Sequence, residues 1–330
     1  MAKRTSKAAQ EGRAAHADPE RWNRRLIIGL IVAVILGAVG LIGFGWYQTQ
    51  IKPLDKTVLR VGETEFNLAH VERRMRDLLE QNPVYGQSQQ NALLLVDVVF
   101  QELEREAKLI EAAGDLDITV TNDELNAEIR QRGNLSEETT DSDFAAALNQ
   151  QVSTSGLREN EYLQMLRADL LEQKVNTHFT ELAPEREAQV LGRWIVLNAD
   201  EQEEAEEALQ RLEAGEDFAA VAGDLSTDTT SADQGGDLGW RTRGGFFDRA
   251  AEDFLFDAEP GERSEIISTH SGFFIVELVD QDDDRELDDF QQQVVVAREM
   301  NDWLNSLDVT LDISRDFADE DRIRALNDVL

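Results

Sequence analysis

The chain has four histidines, His16, His70, His178 and His270, and no two stand at a spacing that would let them share a metal ion. Cysteine is absent, which removes disulfides, thiolate zinc sites, iron–sulfur clusters and thiol nucleophiles. Neither a metal nor a cofactor is expected. Ser271 follows His270, but no carboxylate stands at a defined spacing to orient the ring, so a hydrolase triad is not indicated. Asp280, Asp282, Asp283, Asp284, Asp288 and Asp289 offer the hard oxygen ligands that calcium takes. They lack the glycine and terminal glutamate of an EF-hand loop, and the run reads as a solvated acidic joint. Glu201, Glu203, Glu204, Glu206 and Glu207 mark a solvated helix face in place of an acid–base pair. The residue types that carry covalent or metal chemistry are therefore missing or unpaired.

The elements must then be found around a site of another kind. At 330 residues, 41% hydrophobic and 30% charged, the chain is long enough for about two domains and apolar enough to bury a core. Its net charge of −35 repels phosphate backbones, so nucleic acid is not an expected partner. Six lysines against 26 arginines, among so many carboxylates, suggest a salty or exposed habitat.

Residues 1–25 carry seven basic and three acidic side chains, a local excess of +4 that leaves −39 for the rest. Leu26 to Tyr47 is an uncharged, mostly apolar run of 22 residues. As a helix it spans ~33 Å, about the thickness of a bilayer core. Trp46 and Tyr47 end it with interfacial rings, and Arg21, Arg24 and Arg25 flank its start. The pattern predicts a transmembrane helix over 26–47, a cytoplasmic tail over 1–25 and an extracytoplasmic region from 48 to 330. No A-x-A-like cleavage site follows the run, which argues against a removed signal peptide. Gly29, Ala33, Gly37 and Gly45 recur at multiples of four and raise the option of a homodimer through this helix.

Beyond a short tether, Leu59 to Phe66 reads as two brief strands around Gly62. Helical periodicity then predicts a helix capped by Asn67, a longer one ending at Gly114, one opened by the capping box Thr121 to Glu124, and two more over Phe144–Val152 and Glu161–Leu182. Past Pro184 the pattern changes: a strand over Val190–Leu197, helices over Asp200–Ala214, Phe218–Leu225 and Asp248–Phe256, and a closing antiparallel pair, Ser264–Ile267 with Phe273–Val279. This is an α+β organisation. The expected parts are a helical lobe over 58–183, an α+β domain over 187–282 and a C-terminal helical segment over 286–330. In that segment Phe290, Val294, Met300, Trp303 and Leu307 need a partner surface.

The ordered elements Gly215-Glu216-Asp217-Phe218-Ala219, Ser226-Thr227-Asp228, Ser231-Ala232, Gly235-Gly236-Asp237-Leu238-Gly239-Trp240, Arg243-Gly244, Pro260-Gly261-Glu262 and Thr269 to Leu278 resemble the parvulin (PpiC, rotamase) family of peptidyl-prolyl isomerases. Together with the helices and the anchor, the chain looks like the SurA, PrsA and PpiD group of extracytoplasmic foldases. The resemblance implies one chaperone lobe built from the flanking helices, with the parvulin unit inserted and Leu287–Leu307 returning to the N-terminal helices. It also implies rotation about X-Pro bonds, whose barrier is ~18–20 kcal/mol, in an apolar pocket over a polar floor. Residue by residue, Leu238 falls on the family's pocket leucine, Phe246 on its usual methionine and Thr269 on its threonine. Its Cys or Asp position falls on Asp228, or on Thr229 if the loop insertion is placed differently.

Other positions depart from the family. Its two histidines fall on Trp194 and Phe274, and its pocket phenylalanine on Ala250 or Ala251. Two large rings in place of two imidazoles are expected to keep the fold and remove the hydrogen-bond network that orients the floor. The implied function is a membrane-anchored folding factor with a degenerate isomerase site, whose partners are unfolded or newly exported polypeptides, proline-containing segments and the lipid bilayer through 26–47. An active isomerase, or a scaffold docking one dedicated membrane partner, are the alternatives.

Overall fold

The computed structural model describes residues 36–47 and 52–330. Two compact units divide the chain: Met1–Thr57 with Asn67–Ala69, and Val58–Phe66 with His70–Leu330. In the first, residues 36–46 form helix α1, Lys52–Asp55 form a 3-10 turn, and the Leu68 amide donates to the Lys56 carbonyl at 2.9 Å. Residues 26–35 of the long apolar run lie outside the described residues, and no helix among the described residues is long and apolar enough to cross a membrane.

Strands β1 (Thr57–Val61) and β2 (Thr64–Asn67) and helix α2 (Leu68–Gln81) have most of their residues in the second unit, and helix α3 (Gln89–Ala112) follows them there. Helix α4 (Asn122–Arg132) opens on the full capping box, in which the Glu124 amide donates to Thr121 Oγ1 and Glu124 accepts from the Thr121 amide. Helices α5 (Asp141–Ser155) and α6 (Glu159–Leu182) complete the helical region. Ion pairs join its elements, among them Arg73 with Glu161 and Arg105 with Glu172 at 2.7 Å.

Glu106 on α3 is buried, 5% exposed, and accepts from Gln164 Nε2 at 3.0 Å. Burial outweighs the nearby Arg74 charge and raises its carboxyl to about 7. A carboxyl that holds its proton more tightly when folded makes stability fall as pH rises through the interval from about 4.5 to about 7. Glu106→Gln is therefore expected to leave stability at pH 4 unchanged and to raise it at pH 8 by on the order of 3 kcal/mol. Urea midpoints at the two pH values measure this, and equal shifts at both would refute it.

From Arg186 onward a four-stranded antiparallel sheet of order β4-β3-β6-β5 is built from β3 (Arg186–Leu197), β4 (Asp237–Thr242), β5 (Ile267–Thr269) and β6 (Gly272–Glu286). Strand alternation sorts the side chains to two faces. Ile195, Leu197 and Ile275 pack with helices α7 (Gln202–Glu213) and α8 (Phe218–Leu225) through Ala205, Ala208, Phe218 and Val221. Trp194, Val196, Phe274 and Val276 face the other way, onto Leu238 and the Ala251 and Leu255 positions of α9 (Arg249–Asp257).

Three readings of the sequence need correction. The acidic run is no joint: β6 continues through it to Glu286, pairing Gln189 with Asp282 and Glu187 with Arg285, while the carboxylates stay exposed and Arg186 lies 3.2 Å from Asp284. Backbone pairing with β3 gives the run its form, and among the described residues no three acidic or histidine side chains converge on a metal position. The closing pair is also shifted: β5 is Ile267–Thr269, and Arg263 contributes only an isolated bridge to Glu277. The C-terminal helix α10 (Asp289–Thr310) leaves Phe290 56% exposed and buries Gln291, Val295 and Val296 instead. Met300, Leu304 and Leu307 of α10 pack with Leu109, Ala112, Leu171 and Val175 of α3 and α6. After it come β7 (Ile313–Arg315), which pairs with β1, and helix α11 (Asp319–Val329). A three-residue strand carries too little periodicity to be read from sequence.

Candidate functional site

Two consecutive left-handed glycines, Gly235 at φ 72° and Gly236 at φ 81°, turn the loop after α8 into β4. They let it lie directly on β3, where the Trp194 amide donates to the Gly236 carbonyl at 3.0 Å and the Gly236 amide to the Ser231 carbonyl at 2.8 Å. That approach brings the loop's polar side chains over the Trp194 ring.

The Trp194 indole N–H donates to Asp228 Oδ2 at 2.8 Å and to Ser231 Oγ at 3.0 Å. The Ser231 hydroxyl donates to the same Asp228 oxygen at 2.6 Å. On the other carboxylate oxygen, the Thr230 hydroxyl donates at 2.6 Å and its amide at 3.1 Å. Burial alone would push the Asp228 carboxyl up, but the donors from Ser231, Thr230 and Trp194 outweigh it and hold the group below the usual carboxylate range. Asp228 is thus a fixed anion whose lone pairs are committed, and it has no proton to give at neutral pH.

Above this floor is a cleft of about 490 Å³ lined by Trp194, Asp228, Ser231, Leu238, Phe246 and Phe247 among others. Its apolar wall is aromatic: Phe247 meets Trp194 edge to face at 4.7 Å between centroids, and Phe246 does so at 6.3 Å. Leu238 is 8% exposed beneath it. A ring the size of proline can lie against such a wall while its preceding carbonyl meets polar groups.

The structure brings together Asp228, Leu238, Phe246 and Trp194, and of the alternatives Asp228 and Thr229 it is Asp228 that lines the cleft. Thr269 lies outside that lining. Its hydroxyl donates to the Gly272 carbonyl at 3.3 Å and accepts from the Ser271 amide at 3.1 Å, closing the β5–β6 turn. Phe274 is fully buried behind the site, with its centroid 5.9 Å from Trp194 and 5.6 Å from Phe247. Ala250 is exposed at the start of α9, whereas Ala251 belongs to the core.

One expectation fails on chemistry. An indole is apolar in bulk but carries an N–H, so the network over the floor is present at Trp194. Thr230, Ser231 and Phe247 were not singled out from the sequence as site residues. The signal for Ser231 and Thr230 is their spacing of two and three residues from a loop aspartate, the reach of local side-chain bonds.

With this geometry in hand, comparison with known proteins places the chain. The family model described as PPIC-type PPIASE domain matches residues 196–282, and that of the SurA-like N-terminal domain matches residues 20–176. The foldase protein PrsA of Oceanobacillus iheyensis is 33% identical over 167 residues, covering 49% of this chain and 54% of that protein. The chaperone SurA of Nitrosococcus oceani is 33% identical over 134 residues, covering 36% of this chain and 31% of that protein. The solution structure of the parvulin domain of PpiD from E. coli is 34% identical, covers 30% of this chain and 92% of that one, and has a TM-score of 0.24. The chain spans about half the length of the first of these relatives and about a third of the second. The chain thus carries a PPIC-type parvulin domain and a SurA-like N-terminal domain, and is similar to the foldases and chaperones PrsA, SurA and PpiD.

Proposed function

We propose that this protein is an extracytoplasmic folding factor that holds unfolded or newly exported chains, binds their proline segments in the Trp194–Phe247 cleft and isomerises them weakly. The observation that carries the reading is the cleft itself, an aromatic wall over a fixed carboxylate. Rotation about X-Pro needs no covalent intermediate, only an environment that favours the twisted amide over the planar forms. Asp228, Ser231 and Leu238 offer that contrast. The site lacks histidines, and fully buried Phe274 adds no polar group to the floor, which supports a low turnover.

Membrane attachment is part of the same proposal. It rests on the uncharged run Leu26–Tyr47 with Arg21, Arg24 and Arg25 before it, which would leave the N-terminus in the cytoplasm and residues 48–330 outside.

Two measurements test the reading: suppression of client aggregation by the purified chain, and cis-to-trans conversion of a short proline peptide. Phe247 is 65% exposed, so Phe247→Ala removes half the aromatic wall with little effect on folding. It is expected to lower the isomerisation rate about tenfold, the loss of about 1.4 kcal/mol of transition-state contact, and to leave aggregation suppression intact. An unchanged rate would exclude the cleft as the proline site, and a chain that suppresses no aggregation would end the holding role.

A further inference from the structure

Helix α10 serves two neighbours from different faces. At about 100° per residue, Gln291, Val294 and Arg298 share one face, and Met300, Leu304 and Leu307 share a face roughly opposite to it. The second set packs with Leu109, Ala112, Leu171 and Val175 of α3 and α6. The first set meets the sheet and the loop that follows β4. Buried Gln291 donates through Nε2 to the Trp240 carbonyl at 3.0 Å and to Gln189 Oε1 at 2.9 Å, which ties α10 to β4 and β3.

The loop, residues 243–247, carries Phe246 and Phe247 to the proline cleft and runs between two buried residues, Thr242 and Asp248. Arg298 Nη1 donates to the Arg243 carbonyl at 3.1 Å, and Nη2 donates to Glu187 Oε1 at 2.8 Å. The other Glu187 oxygen accepts from the Thr242 hydroxyl at 2.8 Å. One guanidinium thus grips the first carbonyl of the loop directly and the base of the loop through a carboxylate. Gly244 lies against the same helix, where an added Cβ would stand 3.5 Å from Arg298 Cβ and from Val294 Cγ1. From the other side, Glu252 Oε2 of α9 accepts from the Gly244 amide at 2.7 Å. The loop is held between α9 and α10, and Arg298 itself lies outside the cleft lining.

We propose that Arg298 is a positioning residue for the proline cleft, holding loop 243–247 in the conformation that stands Phe246 and Phe247 against Trp194. A planar fork can hold a carbonyl and a carboxylate at once, which a single ammonium cannot match. Gln291 already joins the helix to the sheet, so what Arg298 adds is the grip on the loop. The proposal rests on the reading of the cleft as a proline site and adds what keeps its aromatic wall in place.

The test uses the full chain in detergent micelles, with kcat and KM for a short proline peptide taken from exchange NMR at a temperature at which every variant is folded. Loss of the grip lowers the fraction of chains whose wall is formed, so Arg298→Ala is expected to raise KM about fivefold and to leave kcat unchanged. Arg298→Lys keeps the charge beside Glu187 without the fork and is expected to fall between the two. Leu304→Ala, on the other face of α10, is expected to keep the parent KM. Para-fluorophenylalanine at position Phe247 gives a readout that needs no turnover: its fluorine resonance is expected to shift in Arg298→Ala and to stay in place in Leu304→Ala. An unchanged KM or an unchanged fluorine signal in Arg298→Ala overturns the proposal, as does an equal change in Leu304→Ala, which would make the effect one of general stability. A parent chain that isomerises no peptide ends the isomerase reading, and the positioning role then stands or falls on the fluorine signal alone.

Discussion

Trp194→Ala is expected to destabilise the parvulin domain by about 3–5 kcal/mol, which at ordinary domain stabilities leaves a large unfolded fraction. The ring is 5% exposed and meets Phe246, Phe247 and Phe274, so its removal opens a cavity on the face that also carries Leu238. It also strips the Asp228 carboxylate and Ser231 of their shared donor. Trp194→Phe separates the two contributions. It keeps most of the packing and loses only the N–H, at a cost of about 1–3 kcal/mol for weakening a charge-assisted bond to a half-buried anion.

The two variants differ in pH dependence. Asp228 titrates below its ordinary value in the folded chain, so the stability it contributes is present above the unfolded carboxyl's range and is lost as pH falls through the folded one. Trp194→Phe raises the folded value toward the unfolded one. Its deficit against the parent should therefore be full at neutral pH and shrink in acid, while the cavity part of Trp194→Ala persists at both. Urea midpoints at pH 7 and pH 3 measure the contrast; a Trp194→Phe deficit that is the same at both would mean that the indole N–H does not stabilise the anion.

Local signals were readable before the fold was seen, and longer-range ones were not. The capping box at Thr121 and Glu124 announces α4 because both partners lie within one helical turn. The glycines of the Gly235-Gly236 pair are readable for the same reason, since a left-handed turn is a property of adjacent residues. By contrast, nothing in Asp280 to Asp284 betrays a strand, because its form comes from β3, about ninety residues earlier in the chain. The floor of the cleft was misjudged by residue class. Counting Trp194 as apolar hid its donor, and only the distance to Asp228 reveals it.

Gly236→Ala is expected to damage this domain severely for the addition of a single heavy atom. Alanine at φ 81° is disfavoured by on the order of 1–3 kcal/mol, and its Cβ would fall inside van der Waals contact of the Trp194 carbonyl oxygen, a backbone atom fixed in the central strand. Relief requires the loop to lift, which breaks the bond from the Trp194 amide to the Gly236 carbonyl and carries Asp228 and Ser231 away from the indole. Gly239→Ala is the control. That residue also has a positive φ, 66°, but nothing lies within 4 Å of its added Cβ, so it isolates the conformational cost alone. The predicted order of thermal midpoints is parent, then Gly239→Ala, then Gly236→Ala, with the second step the larger. In Gly236→Ala the tryptophan fluorescence should shift to the red as water reaches Trp194, a change not expected in Gly239→Ala. Equal midpoints for the two alanine variants would mean that the loop does not depend on close approach to β3, and the account of how the cleft is assembled would fall with it.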